Sequence, residues 1–136
     1  IKANPNENFS IAIGDIDFFK KVNDTYGHNC GDQVLKSLSD LFKEKTLGMG
    51  HVCRWGGEEF LFFFPGINLD HASTIMREIN IAVSKSVITY KDLPLHVTMT
   101  FGVEENDFHS NISEMVKRAD DKLYYGKTHG RDTVIS

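Results

Sequence analysis

Arg54-Trp55-Gly56-Gly57-Glu58-Glu59-Phe60 is the stretch on which the reading of this chain turns. Gly56-Gly57 lies between two apolar runs, Val52-Cys53 before it and Phe60-Leu61-Phe62-Phe63-Phe64 after it. Two glycines so placed predict a two-residue hairpin turn at Gly56-Gly57, because the primed turns that match strand twist need positive φ. The aromatic run predicts a central strand buried on both faces. Glu58 and Glu59 then stand at the mouth of a buried strand, where adjacent carboxylates repel each other and lose solvation. They want a cation. For Gly-Gly-Glu-Glu alone a solvated hairpin tip is the simpler reading, so the reason for anything more has to come from the rest of the chain.

Outward from this point, composition sets the frame. A chain of 136 residues fits one domain with a sizeable core. Hydrophobic residues at 40% and charged ones at 25% exclude a disordered or membrane-embedded class. The Phe60–Phe64 run is far too short to span a bilayer, so this segment makes no membrane contact. A net charge of −4 argues against a nucleic-acid partner. Cys30 and Cys53 have neither framework nor metal spacing, which fits a reducing, cytoplasmic location.

Residues 1–8 are polar, with Pro5, and read as a linker; the domain runs over 9–136. Phe9, Ile11 and Ile13 alternate, predicting a strand that ends at Asp15-Ile16-Asp17. A short helix over 18–26 is closed by Gly27, and a longer one is expected from about Gly31 to Thr46. After the hairpin, Asn68 caps a helix carrying Ile75, Met76 and Ile79. A single strand is expected over Leu95–Val103. Asn111 with Glu114 predicts a capping box on a last helix, with Ile112, Met115, Val116, Ala119 and Leu123 inward. Thr133–Ile135 can return as an edge strand. This order implies an α/β (α+β) sandwich of ferredoxin-like type, helices flanking a mixed sheet.

Asp15 and Asp17 share one side of the first strand, since side chains two apart point the same way. If that strand neighbours the one after Gly57, then Asp15, Glu58 and Glu59 meet at one sheet edge. Such a hard oxygen site suits Mg²⁺, which takes few carboxylates and completes its shell with phosphates. Lys20 sits one turn into the following helix, placed to add a point charge.

The ordered set Asp15-Ile-Asp-Phe-Phe-Lys20, Asn23-Asp24, Gly27-His28, Gly31-Asp32, Arg54–Phe60, Ala119-Asp120, Leu123-Tyr124 and Lys127 with Gly130-Arg131 resembles the pattern of GGDEF-domain diguanylate cyclases. The likeness runs from about Phe9 to the C-terminus. It implies the nucleotidyl-cyclase, polymerase-palm fold and a bacterial signalling enzyme that joins two GTP into cyclic di-GMP. By position, the resemblance implies metal ligation (Mg²⁺, with Mn²⁺ possible) by Asp15, the Ile16 carbonyl, Glu58 and Glu59. It also makes Glu58 and Glu59 the metal-binding and proton-accepting pair, without saying which does which. Lys20 resembles the transition-state lysine, and Lys127 and Arg131 the pair gripping the terminal phosphates. Asn23 and Asp32 resemble the guanine readers, with His28 nearby. A carboxylate such as Asp32 accepts from both N1–H and the N2 amine of guanine, a donor pair that adenine lacks.

Each site of this kind holds one GTP, so the resemblance implies a face-to-face homodimer and a sensory domain elsewhere in a longer protein. Any membrane anchor of that protein would lie outside this segment. Two departures stand out. Gly126 replaces the alanine common in the family, which should loosen that turn by roughly 1 kcal/mol. The Arg-x-x-Asp product-inhibition motif of many members should fall at Leu47–Gly50, and neither charge is there. The alternative to a cyclase is a degenerate domain that binds GTP or docks a partner without catalysis.

Overall fold

The computed structural model describes residues 7–136; the bulk of the expected linker, residues 1–6, lies outside the described residues. The elements run β1 (Phe9–Ile16), α1 (Phe19–Tyr26), α2 (His28–Lys45), β2 (His51–Gly56), β3 (Glu59–Pro65), α3 (Leu69–Lys85), β4 (Ile88–Tyr90), β5 (Leu93–Leu95), β6 (Met99–Glu105), α4 (Ile112–Thr128) and β7 (Thr133–Ile135). Five strands form one mixed sheet in the order β2-β3-β1-β6-β7, antiparallel except for the parallel β6–β7 pair. This is the α+β sandwich that the element order implies. Among the described residues no helix is long and apolar enough to cross a membrane.

Strand alternation sorts the core into two layers. Ala12, Ile16, Phe60, Phe62, Phe64 and Phe101 face α1, α2 and α3, while Ile11 and Ile13 pack on Met115, Ala119 and Leu123 of α4. Phe62 anchors the larger layer, with edge-on contacts to Phe42 at 5.0 Å and Phe101 at 6.0 Å. Each such fully buried ring contributes about 1.5–3 kcal/mol by burial. The aromatic strand is not buried on both faces, however. Phe60, Phe62 and Phe64 are buried, but Leu61 and Phe63 are only half-buried, because α4 packs over β6 and β1 rather than β3.

Four local expectations are corrected. In the β2–β3 hairpin Gly56 pairs with Glu59, so Gly57 and Glu58 form the loop, and neither glycine has positive φ. The register slips between Arg54 and Gly56. Helix α2 begins at His28, ahead of Gly31, because Gly27 at φ 92° is the residue that breaks the chain between the two helices. Gly31 lies inside α2 for another reason: a Cβ there would collide with Asn23 Oδ1. The strand expected over Leu95–Val103 is split into β5 and β6, with β4 and β5 forming a separate hairpin across Lys91-Asp92, at φ 49° and 66°. Finally, Ile112 is exposed rather than inward.

The caps at Asn68 and Asn111 form as expected, the latter as a full capping box with Glu114. Gly126 is buried: a Cβ there would meet Thr100 Cγ2 at 2.5 Å and Thr133 Cγ2 at 3.1 Å. It also permits the close approach of α4 to β6 and β7.

Candidate active site

The ends of β1 and β3, the start of α1 and the end of α4 meet at one edge of the sheet. Asp15 is the cross-strand partner of Glu59 on one side and of Thr100 on the other. Directly opposed residues share a face, so Asp15 and Glu59 both lie on the α4 side, while Glu58 sits in the loop at the strand end. One cleft there is lined by Asp15, Ile16, Lys20, Glu58, Lys127 and Arg131.

The electrostatics follow from this crowding. Burial pushes the Asp15 carboxyl up to about 7; Lys127 opposes the shift, and the charges of Glu58 and Glu59 add to it. Glu59 is also raised, first by burial and then by Asp120 and Glu58. Asp15 Oδ1 is buried without a hydrogen-bond partner, and its nearest cation is the Lys127 ammonium at 3.8 Å. A buried carboxylate oxygen with no hydrogen bond, set among like charges, is disposed to take a further cation. Oxygen donors of this kind fit a hard divalent ion. Among the described residues, no three His, Cys, Asp or Glu side chains are gathered as a metal-holding group by themselves. Ligands beyond the nearest carboxylates would come from the Ile16 carbonyl and from phosphates.

Asp17 sits beneath this edge with no side-chain exposure. Its Oδ1 accepts from Thr100 Oγ1 at 2.7 Å and Lys127 Nζ at 2.9 Å; its Oδ2 accepts from Thr98 Oγ1 at 2.7 Å and the Asp132 N–H at 2.9 Å. Burial works to raise its pKa, but Lys127, the two threonines and the Asp132 amide together outweigh it and hold the carboxyl below its ordinary value. Arg131 lies 4.0 Å from the same carboxylate, its guanidinium over the Phe18 ring at 4.6 Å. Nothing in the local sequence distinguishes Asp17 from a solvated turn residue; its partners lie far along the chain.

The remaining candidates distribute unevenly. Lys20 pairs with Asp24 at 3.1 Å on the exposed rim of α1. Asn23 shares a second cleft with Lys20, Leu35, Arg54 and Glu58, and its Oδ1 is buried without a partner. Asp32 lines an adjoining cleft with Lys36, Lys43 and Arg54; Leu35 and Arg54 form the wall common to both. His28 is exposed at the start of α2 and lines neither cleft. Arg54, given no role from sequence, donates from Nη2 to the Gly57 carbonyl at 2.7 Å and so braces the loop that carries Glu58.

Residues 1–133 match the family model described as diguanylate cyclase, GGDEF domain. The chain is 36% identical over 130 residues to diguanylate cyclase DgcM of Escherichia coli, covering 96% of this chain and 31% of that protein. It is 38% identical over 129 residues to response regulator PleD of Caulobacter vibrioides, covering 93% and 28%. The chain thus spans about a third of the length of these curated relatives. Among solved structures, the GGDEF domain of DgcB from Caulobacter crescentus, in complex with c-di-GMP, superposes with a TM-score of 0.89 at 30% identity, covering 94% of this chain and 77% of that one. With a family model matching nearly its whole length, this chain belongs to the GGDEF-domain family of diguanylate cyclases.

Proposed function

We propose that this domain is an active diguanylate cyclase that condenses two GTP into cyclic di-GMP and two pyrophosphates. The observation that carries the reading is the orphaned, upshifted Asp15 carboxylate facing Glu58 and Glu59 beside Lys127. A domain that only docks a partner has no use for three crowded carboxylates, whose repulsion lowers stability. The curated relatives named as diguanylate cyclases support the same reading.

Asp15, the Ile16 carbonyl and the glutamates would hold a divalent ion, Mg²⁺ or Mn²⁺, which neutralises phosphate charge and favours an ionised 3′-hydroxyl. Glu59, with its raised pKa, is suited to take the proton of that hydroxyl, and Glu58, at the cleft itself, to face the ion. Lys20 sits at the rim where charge develops on the phosphates. Lys127 and Arg131 grip the terminal phosphates, which lets a chain of net charge −4 bind a polyanion. Asn23 and Asp32, across the Leu35–Arg54 wall, read the guanine edge, with His28 at its periphery. One domain presents one such site, so the product is assembled between two copies facing each other in a homodimer. In the full-length protein a separate sensory domain controls that encounter, and the reaction takes place in the cytoplasm.

The test is incubation of purified protein with GTP and Mg²⁺, followed by chromatographic separation of products. Cyclic di-GMP is expected from the wild type and is abolished by Glu58→Gln or Glu59→Gln with the circular dichroism spectrum unchanged. Wild-type protein that binds GTP without turnover would favour the docking alternative.

A further inference from the structure

The geometry points to Asp17 as a positioning residue that aims Lys127 and Arg131 at the terminal phosphates of the nucleotide. The inference rests on the cyclase reading above and adds a residue to which that reading assigns no role. Asp17 touches no part of the cleft that a nucleotide would reach, because its carboxylate has no exposure. What it does is collect. Thr98, just before β6, and Thr100 within it send both hydroxyls to it. The Asp132 N–H comes from the turn after α4, and Lys127 Nζ from the last turn of α4 itself.

Each contact constrains a phosphate-facing cation. The Lys127 ammonium is anchored at 2.9 Å on Asp17 and reaches 3.5 Å from the Asp15 carbonyl. An ammonium has more donors than these two bonds use, so one remains for a ligand. Arg131 stands at φ 60° and Asp132 at φ 45°, left-handed conformations that cost energy in residues with a Cβ. The hydrogen bond from the Asp132 N–H to Asp17 helps hold this turn, together with the Arg131 N–H on the Gly126 carbonyl and Asn80 on the Asp132 carboxylate, and the Arg131 guanidinium lies over Phe18. Gly126 supplies the remaining condition. Without a Cβ it lets α4 approach Thr100 closely enough for Lys127 to reach the carboxylate.

Charge alone predicts the opposite of this role. Removing a carboxylate near a triphosphate would tighten anion binding, whereas losing the orientation of two cations would weaken it. The experiment uses the whole 136-residue chain. Wild type, Asp17→Asn, Lys127→Gln and the double variant are titrated calorimetrically with Mg²⁺ and α,β-methylene GTP, which cannot react, and separately with GMP, which lacks the outer phosphates. Asp17→Asn is expected to weaken the triphosphate analogue about ten-fold and GMP less than two-fold, as loss of one or two charge-assisted hydrogen bonds would. In the double variant the loss should be no greater than in Lys127→Gln plus the part carried by Arg131, short of the product of the single effects.

Equal weakening of both ligands, multiplicative losses, or tighter binding of the analogue would overturn the positioning role while leaving the cyclase reading intact. Wild-type protein that binds neither ligand would overturn both. Should Asp17→Asn fail to fold, Thr98→Val keeps the carboxylate and removes one of its partners; it is expected to show the same asymmetry at about three-fold, and no asymmetry there would equally overturn the role.

Discussion

Asp15 and Glu59 are direct partners across the β1–β3 ladder, and both project toward α4 from adjacent strands of the sheet. Like charges directly opposite one another destabilise a strand pair. The Asp15 carboxyl is pushed up to about 7 from an ordinary 3.8, first by burial, with the charges of Glu58 and then Glu59 adding to it.

Stability of the metal-free protein should therefore depend on pH at this residue. A raised folded-state pKa means that the contribution of Asp15 is fully present below about 4 and is lost as pH rises through about 7. Asp15→Asn does not titrate. Urea melts in the presence of a chelator should show little difference from wild type at pH 4, a growing advantage for the variant up to pH 7, and a constant one above it. An advantage that shrinks with rising pH would contradict the assignment.

Base choice should depend on Asp32. Asp32→Ala is expected to reduce the preference for GTP over ATP in kcat/KM by about 1–3 kcal/mol, the range for polar groups left without partners. An unchanged ratio would remove Asp32 from guanine recognition.

Gly126→Ala separates two physical effects of opposite sign. Helix propensity alone would stabilise by about 1 kcal/mol. The added methyl would instead meet Thr100 Cγ2 at 2.5 Å, and forcing an atom into a packed core costs about 1–3 kcal/mol. A lowered urea midpoint is expected, and a raised one would show that α4 yields at that contact.

Feedback by product through the segment after α2 should be absent. Leu47, Gly48, Met49 and Gly50 bring neither cation nor carboxylate, and the bidentate grip that arginine offers phosphate and guanine edges has no counterpart there. The segment is also closed on itself, with the Met49 and Gly50 amides both bonded to the Thr46 carbonyl. Progress curves with added cyclic di-GMP should superpose on those without it. Inhibition relieved by substitutions within Leu47–Gly50 would overturn this.

Features governed by local chemistry were legible in the sequence. The Asn68 cap and the Asn111–Glu114 capping box depend on residues three apart, and alternation in Phe9–Ile13 located β1. The pairing of β1 with β3 followed from fold class, and it brings Asp15 to Glu59. What was missed depends on tertiary context. Lys91-Asp92 adopts left-handed geometry without the glycine or asparagine that usually announces it. Gly31 looked like a helix boundary but is a space left for Asn23. Asp17 looks the same in sequence whether solvated or buried, since the threonines that hold it lie 81 and 83 residues away.

The hydrogen bond from the Asp132 amide to Asp17 spans 115 residues, nearly the whole domain. During synthesis the first strand leaves the ribosome long before the turn at Arg131-Asp132 exists, so the Asp17 carboxylate waits without two of its partners until that turn is made. Contacts this distant in sequence close late and slowly. A nascent or C-terminally clipped chain would thus carry both glutamates and Asp15 yet lack the cations that counter their charge, and a half-made enzyme would be held silent by the order in which its own residues are made.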